Sequence, residues 1–194
     1  MRVLASLVSQ MPVQSMPPAI SAACRVLVLG SMPGARSLAL QQYYGHPRNR
    51  FWWYMELLCG VGPALAYPLR LSKLNAAGIA LWDVLASCER AGSLDSAIVR
   101  QSECPNDLAG MLQSHPAVTA IALNGRKAVQ VFRSKMWTRL PAERAAALRI
   151  LELPSTSPAN ASISDADKCA AWLQLKRYID ATCGRDEAAI PMRP

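Results

Sequence analysis

Two segments concentrate residues that can do chemistry. One is Gly30-Ser31-Met32-Pro33-Gly34; the other is Tyr43-Tyr44-Gly45-His46-Pro47-Arg48-Asn49-Arg50-Phe51-Trp52. In the first, glycines and a proline leave backbone amides open with few side chains in the way, as at the rim of a ligand site. In the second, aromatic rings stand beside single polar groups, which suits a pocket for a planar ring. Gly30 to Gly34 is too short and wrongly spaced for G-x-G-x-x-G or a Walker loop, which argues against a nucleoside-triphosphate site. Tyr43 or Tyr44 can stack on a ring, at about 1–3 kcal/mol per base, or either can be a plain loop aromatic. Asn49 has two readings, a polar site group or the N-cap of the helix that carries Phe51 and Trp52. His46 reads as a loop histidine with a structural hydrogen bond.

Two more places qualify. Asp83 comes late in an apolar run and needs a partner if buried; Arg90 or a ligand donor can supply it. Pro154-Ser155-Thr156-Ser157-Pro158-Ala159-Asn160-Ala161 is either a plain connector or a rigid loop pressed into a groove, with hydroxyls for phosphates.

The elements that must hold these residues alternate. Strand-like apolar runs lie at 26–29, 78–84, 117–123 and 148–153. Helical patterns start near Asn49 and stop at Gly60, follow Asn106 or Asp107 through Met111, and cover 126–136. A last helix starts at Ser164, with Asp167 three residues on, and carries Cys169, Trp172, Leu173, Leu175 and Ile179 on one face. Such alternation predicts an α/β fold with a parallel sheet covered on both faces. In such folds ligands bind beyond the carboxyl ends of the strands. The polar candidates fall there, after Leu29, around Asp83, after Leu123 and after Leu153.

Composition bounds the partners. The chain has 194 residues, is 52% hydrophobic and 18% charged, and carries a formal net charge of +8. That fits one globular domain and favours an anionic partner, nucleic acid above all. None of the six cysteines forms a C-x-x-C pair, so zinc-ribbon spacing is missing and no metal is expected. Most of them stand in apolar segments, as core thiols of a reducing compartment do. No signal-peptide core or membrane span is expected. The expected organisation is a loosely ordered lead-in over 1–23, one domain over 24–183 and a frayed tail over 184–194, in a cytoplasmic monomer without a cofactor.

Taken together, GSMPG, QQYYGHPRNRFW, LWDVLASCERAGSLD, LNGRKA and LPSTSPANA resemble the uracil-DNA glycosylase superfamily, most of all its hypoxanthine-DNA (deoxyinosine) glycosylase branch. The similarity covers about residues 25 to 180. It implies a three-layer α/β/α sandwich around a short four-stranded parallel sheet. The implied activity is monofunctional: a deaminated base is flipped out of double- or single-stranded DNA and its N-glycosidic bond is cut, leaving an abasic site.

The resemblance also implies site roles. Gly30, Ser31 and Met32 belong to the loop on the water side of the pocket. Most branches place Asp or Asn where this chain has Met32, which cannot polarise water. Asn49 is then the implied catalytic group, with Asn124 at a further polar position this branch uses. Tyr44 matches the aromatic that stacks on the flipped base, and Asp83 lies where other branches place a base-reading side chain. Ser155, Ser157, Pro158 and Asn160 belong to the implied minor-groove loop. Arg48, Arg50, Arg126 and Lys127 stand beside the motifs as phosphate contacts or as a solvated surface. No pocket lysine is expected, so no Schiff-base step. The alternatives are a uracil or xanthine glycosylase, a catalytically silent DNA-binding module, or a small-molecule α/β enzyme.

Overall fold

The computed structural model describes residues 12–179. Seven strands follow in chain order: β1 Val13–Gln14, β2 Val26–Gly30, β3 Ile79–Asp83, β4 Leu85–Cys88, β5 Cys104–Pro105, β6 Ala120–Asn124 and β7 Arg149–Leu153. The helices are α1 Ala35–Leu40, α2 Phe51–Cys59, α3 Tyr67–Ala76, α4 Leu108–Ser114, α5 Arg126–Val131, α6 Ala142–Ala146, α7 Asp165–Leu173 and α8 Lys176–Ile179; a π-helical stretch, Phe132–Met136, prolongs α5.

The four expected runs form one sheet in the order β3-β2-β6-β7, every neighbouring pair parallel. Every residue of β2, β3 and β6 is buried, which is why these strands read as unbroken apolar runs. β7 closes one edge and exposes Arg149 and Glu152, as an edge strand should. Side chains alternate between two cores. Leu27, Leu29, Ile121 and Leu123 pack with Leu112, Val131 and Phe132 on one face. Val26, Val28, Leu81 and Ala122 pack with Phe51, Tyr54, Leu74 and Trp172 on the other. The result is the three-layer α/β/α sandwich.

The chain goes from β2 to β3 past α2 and α3 and from β6 to β7 past α5, in opposite directions along the sheet. Strand order therefore reverses between β2 and β6. A crevice opens at such a point, beyond the carboxyl ends of both strands.

Several elements differ from expectation. A second sheet, β1-β4-β5, is antiparallel and was not anticipated; its strands, of two, four and two residues, are too short to show periodicity. It draws in residues 12–23, expected as a loose lead-in: Val13 pairs with Cys88, and Ala19 bridges Leu81. The short helices α1 and α6, and α3 with its Pro68, also went unread. Asp107, not Asn106, caps α4 by accepting from the Gly110 amide at 3.0 Å. Ser164 caps α7 as expected, but that helix breaks after Leu173 and resumes as α8. The expected tail at 184–194 lies outside the described residues. Among the described residues no helix is long and apolar enough to cross a membrane.

Candidate active site

An open cleft of about 1420 Å³ occupies the crevice beyond β2, β3 and β6. Its floor is set by one close approach. Gly30 lies in register with Asp83, and a β-carbon on Gly30 would stand 2.6 Å from Asp83 Oδ1 and 3.6 Å from the Tyr44 hydroxyl. Only glycine lets the carboxylate lie across this strand end.

Asp83 is buried, with a side-chain partner that sequence reading missed. Ser15 Oγ donates to its Oδ2 at 2.7 Å, across 68 residues of chain. Arg90, the partner considered above, makes no ion pair with it among the described residues. Arg90 instead donates to the carbonyls of Met32 at 3.3 Å and Pro33 at 2.5 Å, holding the 30–34 loop from behind. Burial pushes the Asp83 carboxyl up to about 7; the Ser15 hydrogen bond pulls against this, the Asp95 charge adds to it and the Arg90 charge opposes it.

Both tyrosines border the cleft, and Tyr43 is the more deeply packed. Tyr43 is a core residue, its hydroxyl 3.2 Å from the carbonyls of both Met16 and Pro17. Tyr44 lines the cleft with φ at 54°, a left-handed conformation uncommon for a bulky residue. Phe51 stacks behind its ring at 3.9 Å, and its buried hydroxyl has no hydrogen-bond partner among the described residues. Burial, followed by the Asp83 charge, raises that phenol well above its ordinary pKa, and the neighbouring Asn124 side chain opposes the rise.

Asn49 stands one residue before Arg50, the N-cap of α2. Its Oδ1 accepts from the Phe51 amide at 3.0 Å, at the start of α2. That contact fixes the side chain and leaves Nδ2 without a partner among the described residues, on the cleft wall. His46 is structural, its Nδ1 accepting from the Arg48 amide at 3.2 Å. Met32 is buried in the core cluster and also borders the cleft. The amides of Ser31, Met32 and Gly34 donate to no atom of the described chain, so the loop presents open N–H groups, as its composition suggested. The Ser31 hydroxyl donates to Asp95 at 2.6 Å.

Asn124 lines the cleft and holds the 154–161 loop. Its Oδ1 accepts from the Thr156 amide at 3.0 Å and its Nδ2 donates to Thr156 Oγ1 at 3.1 Å. It therefore fixes the 154–161 loop. Gly125, at φ 94°, makes room for that loop; a β-carbon there would stand 2.8 Å from Ser155 Cβ. Further ties come from Trp172 Nε1 to the Pro154 carbonyl at 2.9 Å and the Arg50 amide to the Thr156 carbonyl at 3.1 Å. Buried Lys168 donates to the Asn160 carbonyl. Within the loop, Ser155 Oγ accepts from the Ser157 amide and Asn160 Nδ2 donates to the Ser155 carbonyl, both at 3.2 Å. Pro158 is exposed at the tip. The segment is a braced rigid loop rather than a plain connector.

The basic candidates divide two and two. Arg48 and Arg126 are exposed on the cleft rim without an ionic partner among the described residues, and so is Arg36, which sequence reading passed over although it directly follows the first motif. Arg50 is bound to Asp165 at 2.6 Å and covers the Trp53 ring at 4.2 Å. Lys127 lies in the cleft wall, where no lysine was expected, but its ammonium is ion-paired with buried Glu103, which Lys135 also reaches at 3.1 Å.

Residues 17–176 match the family model of the uracil DNA glycosylase superfamily. The chain belongs to that superfamily. It is 36% identical over 140 residues, 72% of its length, to a hypoxanthine DNA glycosylase of Methanosarcina acetivorans, of which the match covers 82%. A hypoxanthine DNA glycosylase of Methanosarcina barkeri is 35% identical over 115 residues, covering 59% of this chain and 72% of that one. Among solved structures, the chain resembles the solution NMR structure of a Methanosarcina acetivorans protein described as a candidate uracil DNA glycosylase. The TM-score is 0.72 at 32% identity, over 87% of this chain and 99% of that chain. The superfamily fold thus puts the open amides of its first motif, Tyr44, Asn49 and Asp83 around one crevice.

Proposed function

We propose that this protein is a monofunctional DNA glycosylase that excises deaminated bases, hypoxanthine before uracil or xanthine, and leaves an abasic site for base excision repair. The observation that carries this reading is the polar set around Gly30. A buried carboxylate, an unpartnered tyrosine hydroxyl and an unpartnered asparagine amide surround a strand end bare enough for a planar ring.

The chemistry follows from these groups. Breaking the N-glycosidic bond builds positive charge on the sugar and negative charge on the departing base. Donors aimed at the base stabilise that charge without a nucleophile. Asn49 Nδ2 and the open amides of the first motif are such donors. Asp83 accepts from the N1–H of hypoxanthine, and Tyr44, backed by Phe51, stacks on the ring. Asn49 also orients the attacking water, a task Met32 cannot perform. Lys127, paired with Glu103, offers no free amine for a Schiff base. Arg48 and Arg126 grip phosphates, and the braced 154–161 loop enters the minor groove. The protein acts as a monomer on double- or single-stranded DNA in the cytoplasm.

The test uses labelled duplexes carrying inosine, uracil or xanthine, incubated with the protein and then treated with alkali. Breaks that need both protein and alkali, fastest with inosine, are expected. Binding without breaks would instead indicate a silent DNA-binding module.

A further inference from the structure

We infer that a second cavity, behind the 44–49 segment, is a binding site for the DNA strand next to the flipped nucleotide, with one phosphodiester held by Arg70 and Arg48. This rests on the glycosylase reading and extends it to the strand outside the base pocket. The cavity, of about 630 Å³, shares Tyr44, His46, Arg48 and Asn49 with the main cleft. One short stretch of chain therefore partitions the two.

The wall chemistry points to an anion beside a ring. Arg48, Arg50 and Arg70 line the cavity, and no Asp or Glu does. Arg50 already has Asp165. Arg48 and Arg70 have no ionic partner among the described residues. Arg70 is also held in place: its guanidinium lies over Trp52 at 4.9 Å and over Tyr67 at 5.3 Å. Its Nε is buried without a hydrogen-bond acceptor. A buried donor lacking an acceptor is uncommon in a folded protein, and a pre-oriented guanidinium fork matches a phosphate. Trp53, covered by Arg50 and half-buried on the same wall, supplies an aromatic surface. Cationic grooves interleaved with aromatics are the pattern of single-strand binding. A strand that gives one nucleotide to the main cleft crosses the partition and meets this cavity next.

The test is a binding scan. Each phosphate within two nucleotides of an inosine is replaced in turn by an uncharged methylphosphonate, and affinity is measured for the full-length protein and for Arg70→Gln. The wild type is expected to lose about tenfold in affinity at one flanking phosphate. Arg70→Gln is expected to show that loss with the unmodified strand, to be insensitive to the same replacement, and to lower the salt slope by about one. A flat wild-type scan overturns the inference, whether or not the variant folds. So does an Arg70→Gln variant that binds weakly yet keeps full sensitivity to that phosphate, since its arginine would then be structural. A flat scan from a protein that still releases base sinks this site alone; absence of base release sinks the glycosylase reading itself.

Discussion

Asp83 lies against the bare α-carbon of Gly30, with Oδ1 2.6 Å from where a β-carbon would be. The carboxylate cannot simply swing aside, because Ser15 holds its other oxygen at 2.7 Å. Gly30→Ala should therefore displace the Asp83 carboxylate while leaving the sheet paired. We expect base release under single-turnover conditions to fall about 100-fold, with the cooperative unfolding transition retained. Wild-type rates in Gly30→Ala would separate Asp83 from the chemistry.

The raised Asp83 carboxyl sets a pH dependence. The ionised form is the stronger acceptor for the N1–H of hypoxanthine, so base release should rise as pH passes about 7. Ser15→Ala removes the hydrogen bond that lowers this value and should move the midpoint upward. Stability runs in the opposite direction. The unfolded carboxyl ionises near 3.8 and the folded one near 7, so the stability held by the protonated form is lost as pH rises between them. The melting temperature of Asp83→Asn, relative to wild type, should therefore climb from pH 4 to pH 7; thermal melts across that range check the sign.

Asn49 Oδ1 is engaged by the Phe51 amide while Nδ2 faces the cleft, and two substitutions separate the two atoms. Asn49→Asp keeps an acceptor for the Phe51 amide but has no amide donor. Asn49→Ala loses both and should also cost about 1 kcal/mol of stability. Each should lower base release by roughly 100-fold or more. If the Ala variant keeps near-normal single-turnover rates, Asn49 only supports the start of α2.

The rim charges divide by their partners. Arg126→Gln should weaken binding to undamaged DNA and lower the slope of log affinity against log salt by about one, from a wild-type slope of about −0.9 per phosphate neutralised. Lys127→Gln should leave that slope nearly unchanged and instead lower stability, because its charge faces Glu103. Salt titrations of both variants decide between a phosphate grip and an internal ion pair.

These contrasts mark what the chain discloses on its own. The main strands were legible because strands buried on both faces leave no polar residue to interrupt an apolar run, as at Val26–Gly30. The small sheet was not, since Val13 and Gln14 become a strand only by meeting Cys88 and Ser87. The places of Asp83, Asn49 and the first motif could be read from the ends of strands and the motif resemblance. Their partners could not. Ser15 and Asp83, or Glu103 and Lys127, are brought together by folding, and no local pattern records that. The same holds for Asn124, whose amide meets Thr156 across 32 residues of chain. Tyr43 and Tyr44 were indistinguishable by type; both border the cleft, and the left-handed turn falls at Tyr44, while Tyr43 packs the more deeply.

The most direct test of the account is product analysis by mass spectrometry after incubating the protein with an inosine duplex. Free hypoxanthine and an abasic strand of unbroken length, in equal amounts, are predicted. Recovery of the duplex with inosine intact, or a strand broken before any alkali is added, would contradict it.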